Sequence, residues 1–168
     1  VMDNYPVVHV AWDEAQAFAT WAGRELPTEA QFELVARSKR NSTFPWEGEE
    51  LAPDGHHHAN TWQGNFPIEN TGEDEHVGIA PVGCFKPNDF GVYDLIGNVW
   101  EWTTDWYAPG HNPSDNSNPD GPAEDQSFDY ANAGFPVKVI KGGSYLCAPN
   151  YCMRYRPAAR QAADTGLG

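Results

Sequence analysis

The chain has 168 residues and a formal net charge of −14, with 24 acidic side chains against 10 lysines and arginines. Hydrophobic residues make up 40% and aromatics 13% of it, too apolar for a disordered chain and enough for one ordinary domain with a core. The acidity argues against a nucleic-acid partner, because phosphate neutralisation needs Lys and Arg, and no run of about 18 apolar residues is present to cross a membrane.

Taken in order, Tyr5–Val10 reads as a short strand. Trp12, Ala15, Phe18, Ala19 and Ala22 then recur at helical spacing, with Gly23 as a stop, so a helix is expected from about Asp13 to Ala22. A second helix is expected to begin at Thr28, where Thr28 and Gln31 have the spacing of a capping box and Phe32, Val35 and Ala36 supply an apolar stripe. Beyond Asn41 the pattern changes to Gly, Pro, Asn and Asp punctuation. Ala80–Val82 and Val137–Ile140 read as brief strands between long loops. Trp46, Trp62, Phe66, Phe85, Trp100, Trp102 and Trp106 are read as core pins in those loops. The segment from Ala108 to Gly134 is a surface excursion, and no repeat or clean domain boundary is visible.

Charge is uneven. Between Asn41 and Val137 there are 17 acidic residues and one base, Lys86. Such a stretch is a solvated surface or an oxygen-rich cage for divalent cations, with Ca²⁺ favoured. Asn116–Gly121 starts like a calcium-binding loop, but position twelve is Ser127 rather than Glu, so that reading is rejected. His56-His57-His58 reads as a surface loop rather than a metal site. Asn41-Ser42-Thr43 matches a glycosylation sequon by pattern.

Cysteine usage is the sharpest signal. Cys147 and Cys152 are separated by four residues, behind Gly142-Gly143-Ser144, while Cys84 lies far off and reads as a buried small hydrophobe. Three thiols cannot form a disulfide framework. From chemistry alone the close pair is a disulfide or inert pair, a soft-metal or redox site, or part of a hydrolytic centre needing a His from elsewhere. Two thiolates suffice for Cu(I), which accepts low coordination numbers.

Gly91–Trp102 (Gly-Val-Tyr-Asp-Leu-Ile-Gly-Asn-Val-Trp-Glu-Trp), Lys141–Cys147 and Tyr151–Arg156 together resemble the formylglycine-generating enzyme (sulfatase-modifying factor) family. Pro6–Trp12, Arg24–Ala30, Ala59–Pro67 and Asn70–Asp74 agree, so the resemblance spans nearly the whole chain. It implies a mixed α+β fold with little regular secondary structure, within the C-type lectin-like superfamily. It also implies a copper-dependent oxidase that converts a cysteine in a Cys-x-Pro-x-Arg motif of an unfolded sulfatase polypeptide to formylglycine with O₂.

By that resemblance Cys147 and Cys152 hold Cu(I), Ser144 and Trp100 line the oxygen site, and Tyr151 meets the substrate. Two structural Ca²⁺ ions are implied. Asn60, Asp74 and the carbonyls of Thr61 and His76 would hold one; Asp94, Glu101 and the carbonyls of Gly97 and Val99 would hold the other. Relatives often carry His after the first cysteine, where this chain has Ala148. The resemblance further implies a single domain over residues 1–168, lacking its N-terminal part and last strand. The rival readings are a non-catalytic paralogue and a lectin-like or other superfamily binding module. The cysteine pair and the Asn60–Asp74 pattern argue against both.

Overall fold

A computed structural model of the chain describes residues 3–40, 42–48, 50–111, 117–131 and 134–166. The elements are α1 (Trp12–Trp21), α2 (Glu29–Ala36), β1 (Glu101–Trp106), a short 3₁₀ turn at Glu124–Gln126, β2 (Val137–Lys141) and β3 (Gln161–Asp164). The chain forms two compact units built from interleaved segments. No single linker separates them, so composition gives no boundary to find. Asn41 of the sequon and Asn116 of the rejected calcium loop lie outside the described residues.

One unit comprises residues 7–32, 102–141 and 160–168. It carries α1 and the three-stranded sheet, ordered β1-β2-β3. β2 pairs antiparallel with β3, from Val137 opposite Asp164 to Ile140 opposite Gln161. All five residues of β2 are buried, both lysines included. Burying ammonium groups demands partners, and each has them. Lys138 lies between the Trp12 and Trp106 rings, 4.2 and 3.7 Å from their centroids, and donates to the Thr104 carbonyl at 2.7 Å. The Lys141 ammonium is 3.6 Å from Glu29, whose other oxygen meets Arg160 at 2.7 Å. The expected capping box opens α2: Gln31 N–H donates to Thr28 Oγ1 and Thr28 N–H to Gln31 Oε1.

The other unit comprises residues 1–6, 33–101 and 142–159. It has almost no regular structure and is organised by a buried cluster of Phe44, Ala59, Ile96, Cys147 and Tyr155. Trp46, Leu51, Trp100 and Cys152 pack against that cluster. Its loops are tied by paired polar groups in place of ladders, as buried backbone requires.

Several local expectations are corrected. Tyr5–Val10 is not a strand: Pro6 lacks a donor and His9 takes a left-handed φ of 59°, which breaks the extension. Ala80–Val82 is also irregular, since Pro81 cannot donate; Val82 N–H instead reaches the Asn4 carbonyl at 2.7 Å. On α1 only Ala19 is buried, while Phe18 is 65% exposed. The seven aromatics read as core pins are half-buried rather than sealed in the core, and two of them, Trp102 and Trp106, lie on β1 rather than in loops. Several use the indole N–H to clip a loop, as Trp46 does to the Glu50 carbonyl and Trp62 to the Glu69 carbonyl. Cys84 is exposed, not buried.

Candidate active site

The Gly142-Gly143-Ser144 turn sets the thiols in place. Gly143 has φ 75°, and a Cβ there would lie 2.7 Å from the Tyr155 backbone nitrogen, so only glycine lets the two segments meet. Cys147 N–H then donates to the Ser144 carbonyl, and the Tyr151 and Cys152 N–H groups return to the Ala148 carbonyl. This tight turn brings Cys152 Sγ to 2.7 Å from Cys147 Sγ, with both thiols free. The contact is longer than the ~2.05 Å of a disulfide bond.

Cys147 is buried within the aromatic cluster. Burial first, and the neighbouring Cys152 sulfur second, push its thiol up to about 11; the Ser144 backbone and hydroxyl oppose that shift. Burial also pushes the Tyr155 phenol up to about 12, with the Cys147 and Cys152 charges adding to it. Trp100 packs against the same cluster, and Ser144 acts directly on the Cys147 sulfur. Ala148 is wholly buried and offers no ligand beside Cys147.

Tyr151 is 67% exposed and stacks on Phe66 with centroids 4.4 Å apart, while Phe66 meets Trp62 edge-on at 5.0 Å. Two hydrogen bonds fasten this aromatic rim to the cysteine loop. Trp62 N–H donates to the Cys147 carbonyl at 3.0 Å, and the Asn150 amide donates to Asn65 Oδ1 at 2.9 Å. The rim and the cysteine loop are thus tied together: an exposed aromatic edge joined to a loop that carries one buried and one half-buried thiol.

The first oxygen-ligand set is brought together. Asp74 accepts from the Thr61 and His76 N–H groups at 3.0 and 2.9 Å, and Asn60 Oδ1 is buried without a hydrogen-bond partner. An orphaned buried oxygen is what an unfilled cation position leaves. The Gln63 amide donates to the Thr61 carbonyl and to Asp74, so it must turn aside for a cation to enter. In the second set, burial and then the Asp94 charge push the Glu101 carboxyl up to about 7; burial also raises Asp94, although Gly83 N–H donates to it at 2.6 Å. Two mutually repelling carboxylates fit a divalent cation. Among the described residues no three His, Cys, Asp or Glu side chains cluster to hold a metal. Any ion here would therefore rely on carbonyl, Asn or exogenous ligands as well.

Sequence reasoning missed Asn98, which joins these parts. Its Oδ1 accepts from Asn60 Nδ2 and Ala80 N–H, and its Nδ2 donates to the Ala80 carbonyl. Its carbonyl accepts Tyr145 N–H, while Gly97 N–H reaches the Gly142 carbonyl. Asn98 thus fastens the Asn60 segment to the turn that presents Ser144. The Gly-Asn dipeptide signalled a turn; nothing in it announced the side-chain partners.

The model of the sulfatase-modifying factor enzyme 1-like domain matches residues 1–167, and the chain belongs to this family. The formylglycine-generating enzyme of Mus musculus is 49% identical over 158 residues, which cover 94% of this chain and 40% of the mouse protein. That of Thermomonospora curvata is 47% identical over 176 residues, covering 98% of this chain and 54% of its own. The chain therefore spans about half the length of these relatives. The solved structure of PvdO from Pseudomonas aeruginosa superposes with a TM-score of 0.70 at 26% identity, over 98% of this chain and 58% of PvdO. The fold is thus the expected mixed α+β type with few regular elements. Among the described residues no helix is long and apolar enough to cross a membrane.

Proposed function

We propose that this chain carries the active centre of an oxidase that converts a cysteine of an unfolded sulfatase polypeptide to formylglycine, using O₂ and Cu(I). The observation that carries the reading is the facing pair of free thiols, 2.7 Å apart, in the loop tied to the exposed Tyr151–Phe66 edge. The activity named for relatives of 47–49% identity supports it.

The donor set fits a soft monovalent ion: two thiols side by side, one of them in a dry aromatic wall. Their separation must open when a cation enters. Bound Cu(I) would supply the one-electron chemistry with O₂; the substrate cysteine gives two electrons and loses its sulfur as sulfide, and the other two electrons that take O₂ to water come from an added thiol reductant. The residues supply the rest. Cys147 and Cys152 would hold the ion beside the bound substrate cysteine. The Ser144 hydroxyl favours the ionised form of Cys147, and Trp100 with Tyr155 keeps water from that sulfur. Tyr151 and Phe66 offer a flat edge for a peptide carrying the Cys-x-Pro-x-Arg motif. Asp74 with Asn60 and the Asp94–Glu101 pair would hold calcium, which would offset their charges and stiffen the loops that carry them.

The test is mass spectrometry of a Cys-x-Pro-x-Arg peptide incubated aerobically with the full chain, with and without Cu(I). Copper-dependent conversion of the thiol to an aldehyde is expected. Cys147→Ser and Cys152→Ser should abolish it, and Cys84→Ser should not. Full turnover in either of the first two variants would overturn the mechanism. Absence of both conversion and copper binding would point to a partner-binding role.

A further inference from the structure

We propose that Cys84 and His76 form a second metal site, a labile chelate for a zinc-class divalent cation, separate from Cys147 and Cys152. Cys84 Sγ lies 3.6 Å from His76 Nε2, and Cys84 is exposed. With Zn–S about 2.3 Å and Zn–N about 2.0 Å, a tetrahedral angle of about 109° places the two donors about 3.5 Å apart. The observed separation fits that bite with almost no movement. A linear two-coordinate Cu(I) would need them roughly 4.3 Å apart, the sum of two such bonds, so the geometry favours the tetrahedral ion.

The surroundings agree. The His76 ring packs edge-on to Phe85, centroids 5.9 Å apart, which restricts its plane. No third His, Cys, Asp or Glu side chain closes a cluster here among the described residues, so the other positions fall to water and the ion exchanges readily. The chelate would tie the segment carrying Asp74 to the Gly83–Cys84 turn that grips Asp94.

Cobalt(II) is the probe, because a thiolate ligand gives it a charge-transfer band. The full chain is titrated with reduced thiols and calcium in excess, which keeps cobalt from the oxygen sets. The band is expected in the wild type and in the Cys147→Ser/Cys152→Ser double variant. Made in the Cys147→Ser/Cys152→Ser background, Cys84→Ser is expected to abolish it and His76→Gln, which keeps the backbone carbonyl, to weaken it. As a check that needs no variant, zinc should protect Cys84 of the wild type from alkylation, located by peptide mass mapping. A band that survives Cys84→Ser in the Cys147→Ser/Cys152→Ser background, a band lost in the double variant itself, or alkylation of Cys84 unchanged by zinc would each overturn the proposal. None of these readouts depends on sulfatase-directed activity.

Discussion

Asn60 and Asn98 hold each other through backbone and side chain at once. Asn98 N–H donates to the Asn60 carbonyl at 2.8 Å, and Asn60 Nδ2 donates to Asn98 Oδ1 at 3.1 Å. Both side chains are buried, and the adjacent Gly97 leaves no room for a side chain: a Cβ there would sit 2.1 Å from the Asn60 carbonyl oxygen.

Asn98→Ala should therefore be among the most costly single changes in the chain. It strands both backbone groups of Ala80, takes one of the two hydrogen bonds of Asn60 Nδ2, which keeps the Gly78 carbonyl, and places alanine at a φ of 59°. Each stranded buried group costs about 1–3 kcal/mol, so a loss of about 3 kcal/mol or more is expected in urea denaturation. A loss below about 0.5 kcal/mol, the scatter of an ordinary surface substitution, would show that the knot is not stabilising.

Calcium removal should act through the Asp94–Glu101 pair. Without a cation the two carboxylates repel across a partly buried space. A chelator should lower the melting temperature of the wild type. Glu101→Gln removes the repulsion and a ligand together, so its melting temperature should respond less to the same chelator. Equal responses in both proteins would remove Glu101 from the calcium site.

The helices, β2 and the thiol pair were legible because each rests on local rules. The Thr28–Gln31 spacing caps α2 by contacts three residues apart, and the Val-Lys-Val-Ile run fits a pleated, buried strand. The rest was not legible because its partners are distant in sequence. Asn98 finds Ala80 eighteen residues away, and the Gly143 turn meets the Tyr155 backbone from the far side of the cysteine loop. Cys84 failed for a different reason. Burial statistics for cysteine describe the residue type, while the Gly83 turn and the neighbouring carboxylates keep this one at the surface.

Tyr151 offers a test that separates substrate docking from chemistry. Its ring is exposed and stacks on Phe66, whereas Cys147 is buried. Tyr151→Ala should raise KM for the peptide about three- to tenfold, the equivalent of a lost aromatic contact of ~0.5–1.5 kcal/mol, and leave kcat nearly unchanged. A fall in kcat with KM constant would instead assign Tyr151 to the chemical step.

Asp105 sets a pH dependence in the sheet-bearing unit. It is buried, and its Oδ2 accepts the Glu29 N–H at 2.7 Å and the Thr104 hydroxyl at 3.2 Å. Burial raises its carboxyl above the usual 3.8, and the Glu29 and Asp120 charges add to that against the hydrogen bonds. A carboxyl raised on folding binds its proton more tightly in the native state, so its contribution favours the fold in acid and is lost as pH climbs from 3.8 through the raised value. Asp105→Asn keeps an oxygen for the Glu29 N–H and removes the charge. In denaturant titrations across that window the wild type should lose stability with rising pH relative to Asp105→Asn, and the variant should be at least as stable at neutral pH. If the difference between the two proteins does not change with pH, Asp105 is ionised as easily in the fold as outside it.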